Sequence, residues 1–134
     1  MKDLSTLAGR AGLSLIFILS GIAKLGAGYV ATQGYMEAMG VPGTLLPAVI
    51  AIEIVGGVAI LLGGFTRWAA MGLAVFSIAS ALLFHFQLGD QSEFINFMKN
   101  IAIAGGFLVL VSQGSGTISI DGWLASRRAK GGAL

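Results

Sequence analysis

The chain lacks cysteine entirely, holds a single histidine, and only 10% of its 134 residues are charged. Without thiols there is no disulfide, no thiol nucleophile, no cysteine-ligated zinc and no iron–sulfur cluster. One histidine cannot ligate haem from both faces. Soluble domains usually carry about 25% charged residues, so this chain cannot cover a globular surface with polar groups. The net charge is +2, but the basic residues are accounted for by membrane topology, which leaves no reason to invoke nucleic acid. The length fits one domain.

What the chain has in abundance is apolar sequence, 56% of its residues. A bilayer-spanning helix needs roughly 20 mostly apolar residues. Four stretches meet or approach this, at about residues 4–23, 45–65, 68–86 and 94–112. The fold class they define is all-α, an integral membrane four-helix bundle in one domain, with a polar tail over 113–134. The first stretch reads as a span and not a cleaved signal peptide, because Lys24 interrupts the small-residue region that follows it.

Basic residues set the orientation. Lys2, Arg10, Arg67, Arg127, Arg128 and Lys130 fall on one side if both termini are cytoplasmic. The other side has Glu37, Asp90 and Glu93, with Lys24 and Lys99 at span edges. The expected location is the bacterial inner membrane, crossed four times.

Residues 25–44 form a long connection, and long connections are often functional. Tyr29, Tyr35, Met36 and Met39 are spaced to give one apolar face, with Gly40 as a helix stop. This predicts a short interfacial helix over Val30–Met39, with an irregular amphipathic loop as the competing reading. Pro42 and Pro47 then turn the chain back into the bilayer. In the tail, Trp123 is available as an interfacial anchor.

The second span, LLPAVIAIEIVGGVAILLGGF, carries one charge, Glu53. Ionisable groups at mid-span cost roughly 2.5–3.5 kcal/mol on insertion scales, which makes them candidates for function. Each span has a polar stripe at helical spacing: Arg10, Ser14, Phe17, Gly21 and Lys24; Glu53, Gly56, Gly57 and Ile60; Ser77, Ala81 and His85; Asn96, Lys99, Asn100, Ile103 and Gly106. These stripes are also rich in Gly, Ala and Ser, which let helices approach closely in lipid. Gly21, Gly56, Gly57 and Gly106 are the expected packing positions. The polar faces should therefore converge.

Glu53 lies about eight residues into its span, roughly 12 Å at 1.5 Å per residue. A lysine from the span edge can reach it, so Lys24 or Lys99 should neutralise Glu53, with His85 and Asn100 nearby. The bland alternative is that both lysines snorkel to the interface and His85 is an ordinary interfacial histidine. Glu53 is too short to snorkel, although a paired Glu53 can serve structure alone.

These residues resemble the DoxX family of small four-helix bacterial membrane proteins. The elements in common are Arg10…Gly21-x-x-Lys24, the Gly40-Val41-Pro42 turn, Glu53-x-x-Gly56-Gly57 followed by Leu62-Gly63, His85, and Lys99-Asn100 with Gly105-Gly106. They cover about residues 8–112. The resemblance implies an inner-membrane bundle associated with redox systems, whose branches are linked to thiosulfate:quinone oxidoreductase, oxidative-stress complexes and quinone detoxification. Nothing here points to the thiosulfate branch.

Three functions compete. The first is a subunit of a quinone-linked redox or oxidative-stress system, binding a lipid-soluble molecule between Lys24, Glu53, His85, Lys99 and Asn100. Glu53 or His85 would exchange its proton. No electron carrier is evident, so a protein partner would supply electrons. The second is a non-catalytic scaffold or accessory subunit of a membrane complex. The third is a small transporter or proton path, for which no broken helix or inverted repeat is visible. A metal site is not expected, because His85 and Glu53 are too few ligands.

Overall fold

A computed structural model describes residues 1–132. It is all-helical among those residues: α1 Lys2–Ala23, α2 Gly28–Ala38, a 3₁₀ turn Gly43–Leu45, α3 Leu46–Leu62, α4 Thr66–Phe84, α5 Gln91–Gln113 and α6 Ile120–Gly131. Four of these elements are long and apolar enough to cross a membrane: Lys2–Ala23, Gly43–Leu62, Thr66–Phe84 and Gln91–Gln113. They form a ring in which α1 packs on α3, α3 on α4, α4 on α5, and α5 back on α1.

The bundle is apolar on the outside. Leu15, Leu19, Val55, Val75 and Val109 are exposed, as lipid contact requires, while Arg10, Ser14, Glu53 and Ser77 are buried. Glycine sets the closeness of α1 and α3. A Cβ on Gly57 would lie 2.7 Å from Ile18 Cγ1 and 3.2 Å from the Ser14 carbonyl oxygen. One on Gly21 would lie 2.6 Å from Ile54 Cγ1. Gly56 instead faces Leu73 of α4, and Gly106 faces Leu13 of α1. Two apolar clusters result. The larger joins Phe17, Ile60, Leu73, Ala104, Phe107 and Leu110 across all four long helices. The smaller, around Met36, Leu46 and Ile50, lies where α2 covers one end of the bundle.

The ends of the elements follow local chemistry. The second span stops at Leu62, short of Phe65, because Gly63 adopts φ +70° and Gly64 N–H donates to the Ala59 carbonyl. That is the 6→1 bond of a Schellman stop. The connection after α1 is helical, starting at Gly28 and not Val30. It ends with the same 6→1 bond, from Val41 N–H to the Met36 carbonyl, with Gly40 at φ +80°. The last long helix begins at Gln91, earlier than residue 94, because the Asp90 carboxylate accepts the Glu93 N–H at 3.0 Å.

The polar tail carries a helix of its own, α6. Ser119 accepts the Gly122 N–H at 2.9 Å and starts α6. Trp123 is half-exposed, and the Arg127 guanidinium lies 4.4 Å from its ring centroid.

Candidate functional site

Beneath α2, between the two apolar clusters, the long helices separate and leave a cavity of about 570 Å³. Its walls are mostly apolar, with Phe17, Ile52, Phe76 and Leu83 among them, and Tyr35 and Met36 of α2 form the roof. Ser20, Lys24, Glu53, His85 and Asn100 are its notable polar groups. Ligand pockets typically have a volume of about 300–1,000 Å³ and a few convergent polar groups.

Glu53 sits on the buried face of α3, one turn from Gly57, and is 4% exposed. Its partner is Lys24. The ammonium stands 3.0 Å from Oε1 and 2.9 Å from Oε2. Only the Oε1 contact has hydrogen-bond direction; Oε2 is buried and receives no directed hydrogen bond. Lys24 also donates to Ser20 Oγ at 2.6 Å and to the Ser20 carbonyl at 3.3 Å. Ser20 Oγ in turn donates to Glu53 Oε1 at 3.0 Å. Ser20 was absent from the sequence reading, yet it lies four residues before Lys24, one helical turn away. That spacing was the available signal.

Lys99 does not join the cluster. It is exposed on α5, whereas Asn96, Asn100 and Ile103 turn inward. A residue one position before Asn100 points about 100° away from it, and that angle directs Lys99 out of the bundle. Asn100 lines the cavity and donates from Nδ2 to the Asn96 carbonyl at 3.1 Å.

His85 ends α4 and lines the same cavity. Its Nδ1 is 2.7 Å from Glu93 Oε2, a contact that sequence reasoning missed. The signal was Asp90-x-x-Glu93, a capping-box spacing whose glutamate would ordinarily turn back to the cap. Here it reaches across to α4. Phe84, the residue before His85, stacks on Tyr35 with ring centroids 5.6 Å apart, which ties the roof to α4. Burial pushes the Tyr35 hydroxyl above the ordinary tyrosine range, and the Glu93 charge adds to this.

The opposite end is closed by a second polar assembly. Arg10, 2% exposed, donates to the carbonyls of Ser115 (2.6 Å), Ile118 (2.9 Å) and Leu61 (3.3 Å). Asp3 accepts the Thr117 N–H at 3.0 Å. Asp121 accepts the N–H groups of Phe65 and Thr66, both at 2.9 Å. A tail residue therefore caps α4, which has no cap of its own. Burial raises the Asp121 carboxyl, but the bonds from Thr66 and Phe65, with the Arg10 charge, outweigh it and hold the group below the usual carboxylate range.

A four-span bundle with an ion pair buried beneath a helical roof is an integral membrane protein built around an internal polar site. The chain belongs to the DoxX family, whose model matches residues 5–86. It is 46% identical over 121 residues to the Inner membrane protein YqjF of Escherichia coli (strain K12), covering 90% of this chain and 92% of that protein. It is 38% identical over 122 residues to the Inner membrane protein YphA of the same organism, covering 86% of each. No solved structure matches.

Proposed function

We propose that this DoxX-family membrane protein binds a lipid-soluble molecule of the quinone or quinol class in the cavity under α2, as a small subunit of a quinone-linked redox or oxidative-stress system. The observation that carries the reading is the cavity of about 570 Å³ with the Lys24–Glu53 pair in its wall. Its apolar walls suit a ring and the start of a hydrocarbon tail. The polar groups offer hydrogen bonds to ring oxygens, and His85 beside Glu93 offers a proton-exchanging group at the same cavity. Electrons would come from a protein partner. Both termini face the cytoplasm in this reading, since Lys2, Arg67, Arg127, Arg128 and Lys130 gather at the end opposite α2.

The test is extraction and mass spectrometry of small molecules retained by gently solubilised protein. A stoichiometric quinone or quinol, lost when Ala79→Trp fills the cavity, is the expected result. A second reading, a structural accessory subunit, has one observation in its favour: the three ammonium hydrogens of Lys24 are matched by partners within the chain. A stoichiometric protein partner with no small molecule would favour it. Orientation is tested with cysteines introduced into this cysteine-free chain. Membrane-impermeant labelling from the periplasm should reach Gln91→Cys and not Ser126→Cys, and the reverse pattern would overturn the orientation.

A further inference from the structure

We propose that the groove between α1 and α5, at the end of the bundle opposite α2, binds an anionic phospholipid, with the phosphate at Lys2 and the start of one acyl chain along the two helices. This site is separate from the cavity under α2 and does not depend on what that cavity holds.

Of the four seams in the ring, the one between α1 and α5 is the most open. Leu13 meets Gly106 there; a Cβ on the glycine would lie 3.1 Å from Leu13 Cδ2. From that contact toward Lys2 the two helices leave a groove of about 250 Å³. Gly9 gives it room, since a Cβ built at this exposed position meets nothing within 4 Å. Leu13, Val109 and Leu110 make the inner part apolar. From Lys2 to Leu13 the helix rises roughly 16 Å at 1.5 Å per residue, enough to run from the head-group layer into the acyl chains. The volume is below the usual range of about 300–1,000 Å³ for a whole small ligand, and it suits part of a lipid.

The mouth is cationic, and its donors are free. Lys2 is exposed, and its ammonium makes no hydrogen bond or ion pair among the described residues; nor does the side-chain amide of Gln113 across the groove. Arg67 borders the same mouth, because a Cβ on Gly114, which lines it, would lie 3.7 Å from Arg67 Nε. Behind the groove, Arg10 adds a buried charge whose hydrogen bonds all go to neutral carbonyls. The neighbouring acids are turned elsewhere. Asp3, about 100° round the helix from Lys2, accepts the Thr117 N–H, and Asp121 accepts the N–H groups of Phe65 and Thr66. The Ser5 and Thr6 hydroxyls donate to the Met1 and Lys2 carbonyls, which leaves the phosphate to the cations. Basic pockets between membrane helices bind anionic head groups, and each Lys or Arg near the surface strengthens binding roughly fivefold.

The experiment uses the full chain, delipidated in detergent, with dioleoylphosphatidylglycerol and dioleoylphosphatidylcholine as probes. Native mass spectrometry reads the lipid retained. The phosphatidylglycerol should bind at least about tenfold more tightly than the phosphatidylcholine. Lys2→Gln should weaken phosphatidylglycerol binding about fivefold. Lys99→Gln, which removes the same charge from the other half of α5, should change it by less than about twofold. Gly9→Phe should fill the groove and weaken binding at least about tenfold. Gly12→Phe is its control and should leave binding unchanged: Gly12 is also exposed on α1 with open space at its Cβ, but does not line the groove. Glycerol phosphate, a phosphate without acyl chains, should not displace the phosphatidylglycerol at equal concentration. Equal binding of the two lipids, equal losses in Gly9→Phe and Gly12→Phe, or equal losses in Lys2→Gln and Lys99→Gln would overturn the site. Displacement by glycerol phosphate would overturn a lipid as its occupant.

Discussion

The Lys24 ammonium lies between the two carboxylate oxygens of Glu53, 3.0 Å from one and 2.9 Å from the other, and joins the end of α1 to the middle of α3. The Lys24 side chain keeps 21% of its exposure and Glu53 only 6%. Removing one partner of a buried pair costs roughly 3–5 kcal/mol. Glu53→Gln and Lys24→Met should each lose about 3 kcal/mol, the low end, because Lys24 retains some access to solvent. The double variant should recover most of the loss. Thermal unfolding in detergent measures this, and a double variant as weak as the sum of the singles would refute the pairing.

Lys99→Met is the matching control. Lys99 is exposed and makes no hydrogen bond or ion pair among the described residues, so its removal should change stability by less than about 0.5 kcal/mol. A loss comparable to that of Lys24→Met would place Lys99 in the core after all.

Arg10→Met should release the tail. Three carbonyls lose their donor, and hydrogen bonds to charged groups contribute roughly 1.5–3 kcal/mol each. A loss of at least about 3 kcal/mol is expected, with faster amide exchange over residues 114–121. Protection of that segment equal to wild type would show that Arg10 does not hold it.

The stripes on the four long helices were readable because each combines a 3.6-residue period with small residues, and Arg10, Ser14, Phe17 and Gly21 are indeed all buried. The choice between Lys24 and Lys99 was not readable from charge. It depends on about 100° of helix rotation, less than the uncertainty in where a span faces. The closure at the Arg10 end was hidden for a different reason. Its acceptors are the backbone carbonyls of Leu61, Ser115 and Ile118, and a carbonyl leaves no mark on residue type. Asp121 was equally silent, because it caps a helix 55 residues before it.

The Asp121 cap predicts a pH dependence. Its carboxyl titrates lower in the folded protein than the roughly 3.9 of an unfolded aspartate. Its contribution is therefore fully present above about pH 4 and is lost as pH falls through the lowered native value. Asp121→Asn should loosen α6 at neutral pH, seen as faster exchange at the Thr66 amide and at the amide of position 121. The difference from wild type should close in acid. A gap that stays constant down to pH 2 would exclude the carboxylate as its source.

Glycine substitutions should separate contact from propensity. A methyl at Gly57 meets the Ile18 and Ser14 backbones at 3.2 Å, whereas one at Gly105 meets nothing within 4 Å. Gly57→Ala should cost about 1–3 kcal/mol by overpacking. Gly105→Ala should be neutral or gain up to about 1 kcal/mol. The reverse order in detergent melts would contradict the α1–α3 packing.

The docking of the tail on Arg10 also fixes an order of events during synthesis. Ser115 follows Arg10 by 105 residues, and at roughly 5–20 residues per second the arginine waits about 5–20 s for that acceptor. Throughout that interval the first helix carries a cation that the nascent chain cannot fully solvate, and lipid phosphate or water must serve in its place. The bundle can shut at this end only when translation has passed the last long helix, so assembly finishes from the carboxyl-terminal side.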